Sequence, residues 1–270
     1  DVYKRQIYYA ENGFEITPFL ADILLRYSES LSLFAETKEI FQLHYPNFKN
    51  KTLVQKDLAN TLKIIASKGR KGFYEGEIAE KISSEIKKNN GLISKSDLKN
   101  YSPVWREPLI SNYRDTEIIT MGPPSSGGLH VIQMLNILEN YDLKKIGHNS
   151  LEYINLLTEV MKFAYADRSK YLGDPDFYDV PIKKIISKKY ANDINKNIQI
   201  GKLTPVNEIN PGKYMDGESH ETTHFSVVDK TGNVISMTYT LNSTFGSKVV
   251  IEGTGTVSYT HLTLPTRSYV

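Results

Sequence analysis

The sequence contains no cysteine. That absence excludes disulfides, thiolate nucleophiles and cysteine-bearing zinc sites. It also lacks any apolar run near the ~18 residues that a membrane span needs. Neither sign of charge prevails: 33 basic residues face 31 acidic ones, for a net charge of +2. Nothing in that balance draws the chain to nucleic acid or to an anionic membrane surface. The six histidines are scattered and join no cluster of Asp or Glu, so no metal or organic cofactor is expected.

What is present is the composition of a folded chain. Hydrophobic residues are 40% and charged residues 24% of the 270, which argues against disorder and allows a sizeable core. Helical spacing covers most of the first ~200 residues. The stretch 16–28 carries Phe19, Leu20, Ile23 and Leu24. The stretch 53–67 places Leu58, Leu62 and Ile65 on one face and stops at Gly69. Residues 76–89 place Ile78, Ile82 and Ile86 four apart, and Gly91 follows. Helices are also expected at 129–139 and 151–169, the second with Tyr153, Ile154, Leu157, Val160, Met161 and Ala164 as its stripe. Between them, 109–121 reads as one or two strands about a Tyr113-Arg114-Asp115 turn, followed by a Pro123–Gly128 loop. That loop lacks the lysine and glycine spacing of a phosphate-binding loop and is read as packing.

Residues 201–221 are polar and rich in glycine and proline, as in a linker. The period then becomes two. Thr222–Asp229 and Asn233–Leu241, joined by Lys230-Thr231-Gly232, predict a β-hairpin. If Val228 pairs with Val234, Thr222 falls opposite Thr240. One face then holds Thr222, His224, Ser226, Ser236, Thr238 and Thr240, and the other holds Phe225, Val227, Ile235, Met237 and Tyr239. Two readings stand: a half-buried sheet with a solvated hydroxyl face, or a reactive face. Helices before a late hairpin give an α+β chain or a layered α/β/β/α arrangement.

A flexible segment ends at Glu221 where a strand begins at Thr222. A threonine hydroxyl needs a base, and a terminal α-amine, which titrates near ~8, can be that base. Creating this amine within a chain requires cleavage of the Glu221–Thr222 bond. His224 is read as structural, and Asp167-Arg168 as an ion pair near a helix end.

The run Thr222-Thr223-His224-Phe225-Ser226-Val227-Val228-Asp229, with Gly232-Asn233 and Thr238-Tyr239-Thr240-Leu241-Asn242, resembles the start of the small subunit of γ-glutamyltranspeptidase. Phe73-Tyr74-Glu75-Gly76, Gly91-Leu92-Ile93, Pro123–Gly128, Tyr165-Ala166-Asp167-Arg168 and Gly173-Asp174-Pro175 resemble its large subunit. The resemblance runs in order over about residues 7–255. It implies an αββα sandwich of the N-terminal-nucleophile hydrolase type, incomplete at both ends. Residues 7–221 would be the C-terminal part of the large subunit, and 222–255 the start of the small one.

It further implies self-cleavage at Glu221–Thr222, with Thr222 as nucleophile toward glutathione or another γ-glutamyl donor and water or an amino acid or peptide as acceptor. Thr240 would bond the nucleophile region and Asn242 would contact the glutamyl α-amino group. The donor's carboxylate-binding arginine and the oxyanion donors of the family have no counterpart in this sequence, so these residues alone are expected to be inactive. The family also implies a periplasmic or secreted location. A related acylase and a non-catalytic helical binding protein are the alternatives. The opening DVYKRQ and the closing VSYTHLTLPT resemble translated sequencing-adapter sequence, so residues 1–6 and 256–270 are expected to lie outside the fold.

Overall fold

The computed structural model describes residues 2–41, 51–205, 208–209, 222–241 and 243–257. The chain forms two compact units, Asp1–Ser102 with Glu218–Val270, and Pro103–Gly217.

The first unit opens with α1 (Val2–Asn12), β1 (Phe14–Glu15), α2 (Pro18–Arg26), α3 (Ser28–Leu31), α4 (Ala35–Ile40) and β2 (Thr52–Leu53). It continues with α5 (Lys56–Lys68), α6 (Arg70–Tyr74), α7 (Gly76–Lys88) and α8 (Lys95–Asn100). Local chemistry sets the boundaries. Thr17 caps α2 through a bond from the amide of Leu20 at 3.2 Å, with Pro18 at the first helical position. Gly69, at φ 58°, ends α5 in a conformation that costs glycine little. Ser94 and Asp97 form a reciprocal capping box on α8.

The α7 stripe buries Ile78, Ile82 and Ile86, as its spacing predicts. In α5 the expected stripe of Leu58, Leu62 and Ile65 is only half-buried, and the fully buried positions are Ala59 and Thr61. Thr61 is buried for its bond to the Thr254 carbonyl, at 2.8 Å, which apolar spacing does not register.

The second unit begins with β3 (Leu109–Tyr113) and β4 (Thr116–Thr120), an antiparallel hairpin pairing Leu109 with Thr120 and Tyr113 with Thr116. Arg114 takes the turn at φ 52°, its amide donating to Glu139 at 2.6 Å. Next come α9 (Ser126–Leu138), α10 (Leu143–Ile146), α11 (Leu151–Tyr171), α12 (Ile182–Ile185) and α13 (Lys188–Asn195). Ile137, Leu138, Leu156, Val160, Ala191 and Ile194 join α9, α11 and α13 in one core.

Apolar spacing was an incomplete guide to α11. Ile154 and Met161 are exposed, whereas Glu159 and Asp167 are buried. Each buried carboxylate has partners. Glu159 accepts from Lys162 at 2.7 Å and from the amide of Thr204 at 3.1 Å. Asp167 accepts from Gln133 at 2.5 Å and from the Tyr190 hydroxyl at 2.9 Å. The expected Asp167–Arg168 ion pair does not form, because adjacent helical residues point to different sides. Arg168 instead lies over the Tyr165 ring, 5.9 Å from its centre. Burial raises the Asp167 carboxyl, partly offset by its two bonds, and also raises the Tyr190 phenol that faces it.

The chain returns to the first unit with β5 (Thr222–Val228), β6 (Val234–Thr240), β7 (Val250–Ile251) and β8 (Thr256–Val257). Among the described residues the strands make two-stranded antiparallel pairs, β1 with β2, β3 with β4, β5 with β6 and β7 with β8. The architecture is α+β. Residues 2–6 lie in α1 and residues 256–257 form β8.

The run Val249-Val250-Ile251 explains how the later segment docks. Val250 enters the cluster of Ile16, Leu24, Leu31, Phe41 and Leu53, while Val249 and Ile251 enter that of Ile78, Ile82 and Ile86. Alternate residues of one extended segment thus serve two cores, as a period of two requires.

Candidate active site

The β5–β6 hairpin adopts the expected register. Val228 pairs with Val234, Ser226 with Ser236, His224 with Thr238 and Thr222 with Thr240. Asp229 builds the turn. Its carboxylate accepts from the amide and hydroxyl of Thr231, each at 2.8 Å, and from the amide and side chain of Asn233 at 2.9 and 2.8 Å. Gly232 supplies a φ of 88°. Hydrogen bonds from Asn233 and then Thr231 hold the Asp229 carboxyl down at about 2.

Beyond the turn, polar side chains bond across the strands. The His224 Nδ1 is 2.7 Å from the Thr238 hydroxyl, and its Nε2 is 3.1 Å from that of Ser236. The Ser226 and Ser236 hydroxyls are 3.3 Å apart. His224 therefore ties the two strands together two residue pairs from Thr222–Thr240. Ser226, Ser236 and Thr238 were placed on this face by alternation, but their mutual bonding was not legible from spacing.

The opposite face does not fit a half-buried sheet. Phe225, Val227, Ile235, Met237 and Tyr239 are 41 to 64% exposed. Alternation assigned these residues to one face correctly, yet nothing among the described residues buries them. Thr222 stands at the first position of β5, and Thr240 at the last of β6. Glu221 and Asn242 lie outside the described residues.

The segment after β6 is built into the helical unit. Ser243 donates to the carbonyl of Gly246 at 2.8 Å, and Thr244 to the Tyr27 hydroxyl at 3.1 Å. Thr37, fully buried in α4, donates to the carbonyl of Lys248 at 2.7 Å. Gly253 and Gly255 adopt φ values of 67° and 63° around the buried Thr254. A Cβ on Gly255 would lie 2.6 Å from the Leu58 amide nitrogen, so α5 leaves room only for glycine there.

In the second unit the Pro123–Gly128 loop delivers the start of α9 against β4. A Cβ on Gly128 would stand 2.0 Å from the Met121 carbonyl oxygen. This contact matches the packing role read from the sequence. Among the described residues no group of three or more His, Asp or Glu is placed to hold a metal ion, and no helix is long and apolar enough to cross a membrane.

Similarity to known proteins agrees with this architecture. The chain is 48% identical over 248 residues to the glutathione hydrolase proenzyme of Escherichia coli (strain K12), covering 91% of this chain and 43% of that protein. It is 37% identical over 266 residues to the acylase ACY 1 proenzyme of Pseudomonas sp. (strain SE83), covering 97% and 46%. Among solved structures, Helicobacter pylori gamma-glutamyltranspeptidase superposes with a TM-score of 0.73 at 43% identity, over 78% of this chain and 62% of that one. Cephalosporin acylase from Bacillus halodurans gives a TM-score of 0.79 at 25% identity, over 95% and 46%.

The chain is thus similar to hydrolase and acylase proenzymes. The family model described as gamma-glutamyltranspeptidase matches residues 1–263, and the chain belongs to that family. It spans less than half the length of the two curated relatives just named.

Proposed function

We propose that the chain is part of a γ-glutamyl transferase and glutathione hydrolase precursor that cleaves itself between Glu221 and Thr222. The observation that carries this reading is the Thr222–Thr240 pair at the open end of the β5–β6 hairpin, in a chain of this family. In maturation the Thr222 hydroxyl oxygen attacks the Glu221 carbonyl carbon, and the bond from that carbon to the Thr222 nitrogen breaks. Water hydrolyses the resulting ester, leaving a Glu221 carboxylate and a free Thr222 α-amine. In turnover that amine accepts the hydroxyl proton while the oxygen attacks a γ-glutamyl carbonyl. The donor's amine leaves with the proton, and the γ-glutamyl ester passes to water or to an amino acid or peptide amine.

Thr240 is assigned to hold the nucleophile region and Asn242 to contact the glutamyl α-amino group. Residues 7–221 are assigned to a large subunit and 222–255 to a small one. An αββα sandwich is supported by the exposed apolar face of β5–β6, which a further layer would cover. Export to the periplasm or medium is proposed from the family alone.

A second reading, an acylase acting on another acyl amide, is favoured by the likeness to acylase ACY 1 and to cephalosporin acylase. Expression of the full-length precursor separates the readings. Two subunit masses with a new N-terminus at Thr222, absent in Thr222→Ala, support the cleavage. An active enzyme that stays uncleaved defeats it. Release of a γ-glutamyl chromophore, with and without an acceptor dipeptide, then distinguishes glutamyl chemistry from other acyl transfer.

A further inference from the structure

The turn that follows β6 is strained, and helices distant in sequence hold it. Phe245 and Lys248 adopt φ values of 63° and 62°, left-handed conformations that a bulky or long side chain keeps only where its surroundings impose them. Within the turn, the Gly246 amide donates to Ser243 at 2.7 Å and the Lys248 amide to Phe245 at 3.0 Å.

The restraint comes from α2 through α4. The Phe245 ring packs edge-on against Tyr27, at 6.2 Å between centres, and against Phe41, at 5.2 Å. Thr244 donates to the Tyr27 hydroxyl at 3.1 Å, and the Lys248 ammonium lies 5.5 Å from the centre of the Tyr27 ring. Thr37 clasps the far side of the turn, donating to the Lys248 carbonyl at 2.7 Å and accepting from the Val250 amide at 3.1 Å. On the near side the turn folds back onto the end of β6. A Cβ on Gly246 would meet the Leu241 Cβ at 3.4 Å, and Leu241 directly follows Thr240.

We infer that Tyr27, supported by Thr37 and Phe41, is a positioning residue for the proposed reaction: by holding the strained 243–248 turn it fixes the end of β6, and so places Thr240 opposite Thr222. This rests on the function proposed above. An antiparallel pair at the open end of a hairpin is where strands fray, and the Thr222–Thr240 pair stands at that end. The polar bonds of His224 secure it from the turn side. The Tyr27 anchor secures it from the other. Tyr27 acts through the turn.

The test uses the full-length precursor and two substitutions that keep side-chain volume. Tyr27→Phe removes only the hydroxyl, and Thr244→Val removes its partner. Each is expected to slow self-cleavage and to lower kcat of the cleaved enzyme roughly fivefold, the scale of one neutral hydrogen bond. KM should rise as well, because Asn242, assigned to the donor's α-amino group, adjoins this turn in sequence, whereas the self-cleavage rate, which involves no donor, reports on the nucleophile alone. The double variant should be no slower than either single one, and Thr244→Ser should behave as the parent.

A purely structural role would lower the melting temperature but leave the kcat of the folded, cleaved enzyme unchanged. That result overturns the inference, as does parental cleavage and turnover in both variants. If the unsubstituted precursor neither cleaves nor releases γ-glutamyl product, the proposed function falls first, and this inference with it. If it does both and the variants match it, only the inference falls.

Discussion

Thr61, buried in α5, donates its hydroxyl hydrogen to the carbonyl of Thr254, 193 residues further along, at 2.8 Å. The bond crosses from an early helix to the turn between β7 and β8, so a single side-chain contact closes a loop of 193 residues. Thr61→Val keeps the shape but leaves a buried carbonyl without its donor, which costs about 1–3 kcal/mol. Chemical denaturation should show that loss, while Thr61→Ser stays close to the parent. Equal stability of Thr61→Val and the parent would mean that solvent reaches the carbonyl.

Gly128 makes a second prediction from geometry alone. Its missing Cβ would lie 2.0 Å from the Met121 carbonyl oxygen and 2.5 Å from the Thr120 hydroxyl oxygen. Neither neighbour is a flexible side-chain tip, since one is backbone and the other a short branched group at the strand end. Gly128→Ala should therefore push α9 from β4 and destabilise by about 1–3 kcal/mol, the cost of overpacking a tight site. Gly127, whose nearest such contact is 3.7 Å, is the control. Comparable melting temperatures for the two alanine variants would contradict the argument.

The nucleophile prediction separates Thr222 from its partner. In the full-length precursor, Thr222→Ala should abolish self-cleavage and γ-glutamyl release, while Thr222→Ser, which keeps a hydroxyl, retains both at reduced rate. Thr240→Val should slow cleavage about tenfold or more without unfolding the chain, as expected when one bond at a reacting group is lost. Mass measurement of the subunits over time provides the readout. Full-rate cleavage in Thr240→Val would leave Thr240 as an ordinary strand residue.

Period-two alternation was enough to give the β5–β6 register, because the Lys230-Thr231-Gly232 turn leaves little freedom in pairing. The α7 face was equally plain from its three isoleucines. Alternation could not show that Phe225 and Tyr239 remain exposed, since burial depends on a covering layer that no local pattern encodes. Apolar spacing also misses residues buried for their hydrogen bonds. Thr37, Thr61, Gln133, Glu159 and Asp167 are all buried and polar. Each answers a partner far along the chain or on another helix turn, and single-sequence reading has no signal for it. The Tyr27 anchor was invisible for the same reason: nothing near residue 27 announces a contact with residues 244–248.

The last prediction concerns pH and the hairpin turn. Asp229 ionises at about 2 in the folded chain, below its ordinary 3.8, because Asn233 and Thr231 donate to its carboxylate. A depressed folded value means that the charged form favours the turn. Its contribution is fully present above the ordinary value, and it is lost as pH falls through about 2. The donors are neutral amides and a hydroxyl, not charged groups, so salt should change the effect little. Titration of the Asp229 carboxyl carbon by NMR should give a midpoint near 2, with protection of the Thr231 and Asn233 amides declining over the same range. In Asp229→Ala those amides should exchange rapidly at every pH, and the hairpin should loosen from the turn toward His224. A midpoint at the ordinary value, with both amides still protected, would show that the backbone alone closes this turn.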